Sequence, residues 1–229
     1  MNYLFHQPVD IPASDVTLMG TLIVPRNAKA IILFAHDRGS SCFSKCNQVV
    51  AKYLESKNFG TLRFSLLTDE EQQKYINRFD ATLLTTRLLQ ATQWLIEQPI
   101  AKHIKLGYYG SDTGAALALK AAGVLSRIKA VVSSSGRPDL AMQDLPKVAA
   151  STLLIVGGLD LTVLKLNKKA YDHLTCDRKL EVVEGATHLF EEKGMMDKVC
   201  ELAVAWFQKH LAPPIRVNNF YPQSRYVGF

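Results

Sequence analysis

The chain has 229 residues, 48% hydrophobic and 21% charged, the profile of a globular protein with a sizeable core and the usual length of one α/β domain. Its apolar runs, such as AVVSSSG and STLLIVGG, are strand-length and fall far short of the roughly 20 residues a membrane helix needs, so no membrane association is expected. The formal charge of +6 is spread without an aromatic-interleaved basic stripe, which argues against nucleic acid as a partner.

The opening stretch MNYLFHQPVDIPASD lacks a basic region followed by an apolar core, so no secretory signal and a cytoplasmic location are expected. Next, VTLMGTLIVP (16–25) reads as two short strands meeting at Gly20, a hairpin-like antiparallel edge. KAIILFAH (29–36) is continuously apolar, as in a strand buried on both faces, and runs into the loop DRGSSCFSK. The sequence NQVVAKYLESKN reads as an amphipathic helix, and TLRFSLL (61–67) as the next strand.

Between Asp69 and Gln98 the second half is helical, with Phe79, Leu83, Leu84, Arg87, Leu88, Ala91 and Leu95 at helical spacing and Pro99 as the stop. Alternation then continues: strand IKLGYY, helix TGAALALKAAGVL, strand IKAVVSSS, strand STLLIVG, helix VLKLNKKAYDHL, strand KLEVVE and helix DKVCELAVAWFQKHL. That order predicts an α/β class, three layers with a mostly parallel sheet and helices on both faces, over 1–212. Residues 213–229, PPIRVNNFYPQSRYVGF, form a separate C-terminal arm, because two prolines block helical continuation. Four scattered cysteines, Cys42, Cys46, Cys176 and Cys200, make no close Cys/His set, so reduced thiols and no metal site are expected.

In such a sheet functional groups gather at the carboxyl ends of the strands. There the sequence places His36-Asp37-Arg38, the turn GSDTG (110–114) with Asp112 at its middle, Asp160 after VGGL and His188 in GATHLF. Turn residue, acid and then histidine is the chain order of α/β-hydrolases.

With FAHDRGSS, SLLTDEE, GYYGSDTGAALAL, GRPDL, LLIVGGLD and GATHLF in that order, the chain resembles the dienelactone-hydrolase-like branch of the α/β-hydrolase fold, from about Leu18 to Leu211. That branch includes hydrolases fused to phosphoribosyltransferases. The resemblance implies that Asp160 is the triad acid, His188 the base and Asp112 the residue at the nucleophile position, where relatives carry serine or cysteine. It also implies an oxyanion loop around Asp37, Arg38 and Thr113, where relatives have His-Gly in place of His36-Asp37. HDRG itself resembles the nucleophile motif of some dehalogenases, but its position after an early strand makes it an oxyanion loop.

A carboxylate at the elbow is ionised near neutral pH without help from a base. Attack on a saturated carbon gives an ester that activated water can hydrolyse, whereas attack on an ester carbonyl gives a readily reversing anhydride. Aspartate-dependent relatives carry a helical cap, and the interval from Gly136 to Ser151 is too short to hold one. Asp112 can instead act as a base, or as a charge holding His188 protonated. Ser111, one place before the apex, is the substitute nucleophile, with its side chain expected to point away from His188. His36, Ser111 and Arg137 are candidates for the lining of a substrate pocket. The chain is expected to be a small uncapped hydrolase with an Asp/His/Asp site, acting on a small molecule without a cofactor. The alternative is an inactive homologue serving as a binding or assembly subunit. In that case the arm meets a protein partner or a second copy of the chain.

Overall fold

The computed structural model describes residues 2–35 and 41–212. The arm from Pro213 and the calls on His36, Asp37 and Arg38 lie outside these residues. An eight-stranded sheet runs in the order β1-β2-β4-β3-β5-β6-β7-β8. Here β1 is Tyr3–Ala13, β2 Val16–Pro25, β3 Ala30–Ala35, β4 Gly60–Phe64, β5 Lys105–Ser111, β6 Ile128–Ser134, β7 Ser151–Gly157 and β8 Arg178–Val183. β2 pairs antiparallel with both β1 and β4, and the remaining six strands are mutually parallel.

The parallel strands read as apolar runs because helices cover both of their faces. On one face α3 (Ala81–Glu97), α4 (Thr113–Val124) and α5 (Leu161–His173) close a core around Leu33, Leu88, Tyr108 and Leu154. On the other, α1 (Ser41–Ser56) and α6 (Met195–Leu211) close one around Ile32, Phe34, Tyr109 and Phe207. The small side chains of α4, with Ala115, Ala116, Ala118 and Ala121 buried, let its axis approach the sheet closely.

Three expectations change. Gly20 does not divide two strands. It sits within the single strand β2, opposite Val9 on one side and Phe64 on the other. A β-carbon there would lie 2.9 Å from that of Phe64, so glycine serves a close approach between strands. The hairpin partner of β2 is instead β1, which lies in the polar opening stretch. Second, Phe79 belongs to a short 3₁₀ turn, Tyr75–Phe79, preceded by α2 (Asp69–Gln73), and its ring is exposed. Third, β4 ends at Phe64, so Ser65, Leu66 and Leu67 follow the strand rather than extend it.

Arg87, within the apolar stripe of α3, is buried and hydrogen-bonds the Ala13 carbonyl and, at 3.0 Å, the Glu71 carboxylate. Between β6 and β7 only two short 3₁₀ turns occur, Pro138–Ala141 and Leu145–Lys147, and among the described residues no cap domain rises over the sheet. No helix among the described residues is long and apolar enough to cross a membrane.

Candidate active site

β5 ends at Ser111, α4 begins at Thr113, and Asp112 alone makes the turn. Its backbone has φ 48° and ψ −129°, a region that side chains other than glycine rarely enter and that costs roughly 1–3 kcal/mol. Two backbone N–H groups fix the turn by donating to the Asp112 carbonyl, from Ala115 at 3.2 Å and from Arg137 at 2.9 Å. A β-carbon on Gly110 would lie 2.6 Å from the Gly114 oxygen, so the turn closes only over glycine. An aspartate before a helix usually caps it, yet this half-buried carboxylate makes no capping hydrogen bond. Thr113, exposed at the first helical position, presents one of the backbone N–H groups that a helix leaves unpaired.

Asp160 ends the loop after β7, and its two oxygens have different tasks. Oδ1 accepts from the Val163 N–H at 3.0 Å and caps α5, while Oδ2 lies 2.6 Å from His188 Nδ1. With Nδ1 donating to the carboxylate, Nε2 becomes the proton acceptor. The loop carrying His188 rests on the end of β7: a β-carbon on Gly157 would meet the Thr187 oxygen at 2.4 Å. Leu159 N–H donates to the Ala186 carbonyl at 2.9 Å, tying the two loops together.

Ser111 turns to α1, where its hydroxyl donates to Asn47 Oδ1 at 3.2 Å. It nevertheless lines a cavity of about 10 Å³ together with His188, Tyr109, Ser134 and Ser135, a volume close to that of one water. Cys46, on the same helix, reaches the Leu189 carbonyl beside His188 at 3.8 Å. Arg137 forks onto Asp139, with both contacts at 2.8 Å. That carboxylate, and more weakly Asp112, hold the guanidinium above its ordinary range. Asp112 is thus placed at a strained turn beside a cation.

No family model matches the chain. It is 43% identical to a dienelactone hydrolase from Anabaena variabilis whose crystal structure superposes with a TM-score of 0.86, covering 90% of this chain and 98% of that one. The chain belongs to the dienelactone-hydrolase family. Est1E from Butyrivibrio proteoclasticus, 13% identical with a TM-score of 0.75 over 88% of this chain and 98% of its own, shares the α/β-hydrolase fold. A protein of Mycobacterium tuberculosis that carries a provisional phosphoribosyl transferase name is 46% identical over 209 residues, 91% of this chain and 47% of that protein. The chain therefore spans about half the length of the curated relatives it matches.

Within this family site the sequence reading passed over Asn47, Cys46 and the run Ser133-Ser134-Ser135. Ser135 is buried at φ 43°, and neither its hydroxyl nor that of Ser133 has a hydrogen-bond partner among the described residues. The run was legible as SSSG, but it stood as the end of a strand. Asn47 carried no signal, since one polar residue in an amphipathic helix is ordinary. Among the described residues no cluster of three or more His, Cys, Asp or Glu side chains could hold a metal ion.

Proposed function

We propose that the chain is a small-molecule hydrolase in which the Asp112 carboxylate takes the nucleophile position and His188, oriented by Asp160, activates water. The observation that carries this reading is the strained backbone of Asp112. A turn that only connected a strand to a helix has no need of φ 48° at an aspartate.

The carboxylate suits a saturated carbon bearing a leaving group. One Asp112 oxygen bonds to that carbon, the leaving group departs with its electron pair, and an ester joins substrate to enzyme. His188 Nε2 then takes a proton from water, whose oxygen adds to the Asp112 carboxyl carbon. The alcohol departs with a proton and the carboxylate is regenerated. In the second step the negative charge develops on an Asp112 oxygen, where the Thr113 N–H supplies stabilisation. Among the described residues, Arg137 is a cation whose charge Asp112 feels.

One observation favours a non-catalytic binding or assembly subunit: the Asp112 side chain is a poor replacement for a serine in acyl transfer. A screen of short acyl esters, lactones, epoxides and haloacids separates the two. The hydrolase reading expects turnover of an epoxide or haloacid. In His188→Ala it expects an ester that accumulates on the Asp112 peptide, read by mass spectrometry, because the second step is blocked. Silence towards every class, with no adduct in His188→Ala, supports the subunit reading.

A further inference from the structure

We infer that the small cavity beside the turn at Asp112 is a binding site for one water molecule, held by Asn47 and Ser135 and passed to His188 for the second step of hydrolysis. The site deepens the hydrolase reading, and its catalytic half rests on that reading. The cavity measures about 10 Å³, close to the volume one water occupies. Four separate elements meet there: Asn47 comes from α1, Ser111 from the end of β5, Ser135 from the residue after β6 and His188 from the loop after β8.

Two of these side chains carry polar atoms that have no partner among the described residues. Asn47, 4% exposed, accepts the Ser111 hydroxyl at Oδ1 and leaves Nδ2 unpaired. Ser135, 1% exposed, leaves its hydroxyl unpaired. Buried polar groups without partners are uncommon, because their lost hydration goes uncompensated. The Tyr109 hydroxyl, which also lines the cavity, bonds Ser134 and answers neither of them. A cavity of this size lined by apolar groups stays dry, whereas a polar one takes up water. Ser135 is also strained: its φ of 43° costs a serine roughly 1–3 kcal/mol, and its N–H donates to the Ile155 carbonyl at 2.8 Å, which pins the residue there.

A water in this cavity accepts from Asn47 Nδ2 and donates one hydrogen to the Ser135 oxygen, while Ser111 fixes the amide that faces it. One hydrogen and one lone pair then stay available for the reaction. In the second step the water gives that proton to His188 Nε2 and its oxygen adds to the Asp112 carboxyl carbon. The bond from that carbon to the alcohol oxygen breaks, and the alcohol leaves with the proton. Ser111 immediately precedes Asp112, so the cavity adjoins the residue that carries the ester. Forming the ester consumes no water and breaking it does. Asn47 and Ser135 are therefore positioning residues for the second step alone.

Crystal structures and single-turnover kinetics of the full chain as wild type, Asn47→Leu and Ser135→Ala test the inference. The wild type should show one water within about 2.7–3.2 Å of Asn47 Nδ2 and Ser135 Oγ. Asn47→Leu, which keeps the volume and suits a helix, should lose it. With an epoxide or haloacid as substrate, the ester on Asp112 is followed by mass spectrometry. Its formation should stay within about twofold of wild type in both variants, because that step uses no water. Its breakdown should slow by on the order of 10²-fold in Asn47→Leu and about tenfold in Ser135→Ala. A merely structural role would slow both steps together. The inference is overturned if the wild type holds no water there, if Asn47 Nδ2 pairs with a protein group instead, or if the Asn47→Leu ester breaks down as fast as that of wild type. If no chain forms an ester, His188→Ala included, the hydrolase reading fails and the delivery of water falls with it, while the crystal structures still decide whether Asn47 and Ser135 bind one.

Discussion

His188 Nδ1 and Asp160 Oδ2 lie 2.6 Å apart, and the same aspartate caps α5 through its other oxygen. One residue therefore joins the orientation of the histidine to the stability of a helix, and two substitutions separate these roles. Asp160→Asn retains an oxygen for the Val163 N–H but loses the charge facing the ring. It should lower turnover by on the order of 10³–10⁴-fold, as expected for a misoriented catalytic histidine, with little change in melting temperature. Asp160→Ala should lose turnover similarly and also destabilise the fold by about 1 kcal/mol through the missing cap. Turnover and urea unfolding of the two variants side by side check both halves.

Glycines at the two ends of α4, Gly110 before it and Gly123 in its last turn, should respond with opposite signs. Gly110→Ala places a β-carbon 2.6 Å from a backbone oxygen of the next helix, and backbone cannot step aside. A loss of about 1–3 kcal/mol is expected, as for other overpacked sites. Gly123→Ala, on the same helix, meets nothing nearer than 3.4 Å, so it should gain up to about 1 kcal/mol from helix propensity. Urea unfolding midpoints measure both.

Acid should weaken the fold through His210. Burial, with Lys209 adding to it, holds this imidazole below its ordinary range, and Asp177 opposes the shift only in part. The folded chain then binds fewer protons than the unfolded one, so stability rises with pH in the affected window. It should be lost as pH falls through the ordinary imidazole value of about 6.5 towards the lower folded value. His210→Gln should flatten thermal stability between pH 7 and pH 5. An unchanged slope would mean that the proton uptake lies elsewhere.

The sequence made the parallel half of the sheet legible because strands covered on both faces read as unbroken apolar runs, as KAIILFAH and STLLIVG do. The tight turn between β5 and α4 was legible from GSDTG, and at Gly110 only glycine permits the approach that the turn makes. β1 was not legible, because an edge strand with one open side tolerates Pro8, Pro12 and exposed polar residues, all of which read as loop. Nor could pattern alone reveal that Arg87 in an apolar stripe is buried by its partners rather than excluded from the core. Asn47 and Ser111 lie 64 residues apart in sequence and meet only in the fold, through one hydrogen bond.

The most direct test of the assignment of Asp112 to the nucleophile position is hydrolysis of p-nitrophenyl acetate by four chains: wild type, Asp112→Ala, Asp112→Ser, and Asp112→Ser with Asp37→Gly. Wild type should be slow or inactive, because a carboxylate attacking an acyl carbon forms an anhydride that returns to reactants. Asp112→Ser should raise the rate by on the order of tenfold to a hundredfold, since Asp160 and His188 then serve a hydroxyl at the apex. Adding Asp37→Gly should raise it further, by more than the two changes taken separately, because nucleophile and oxyanion loop act as a unit. Brisk wild-type activity that survives Asp112→Ala would contradict the assignment and move the chemistry to another residue, with Ser111 the first to replace.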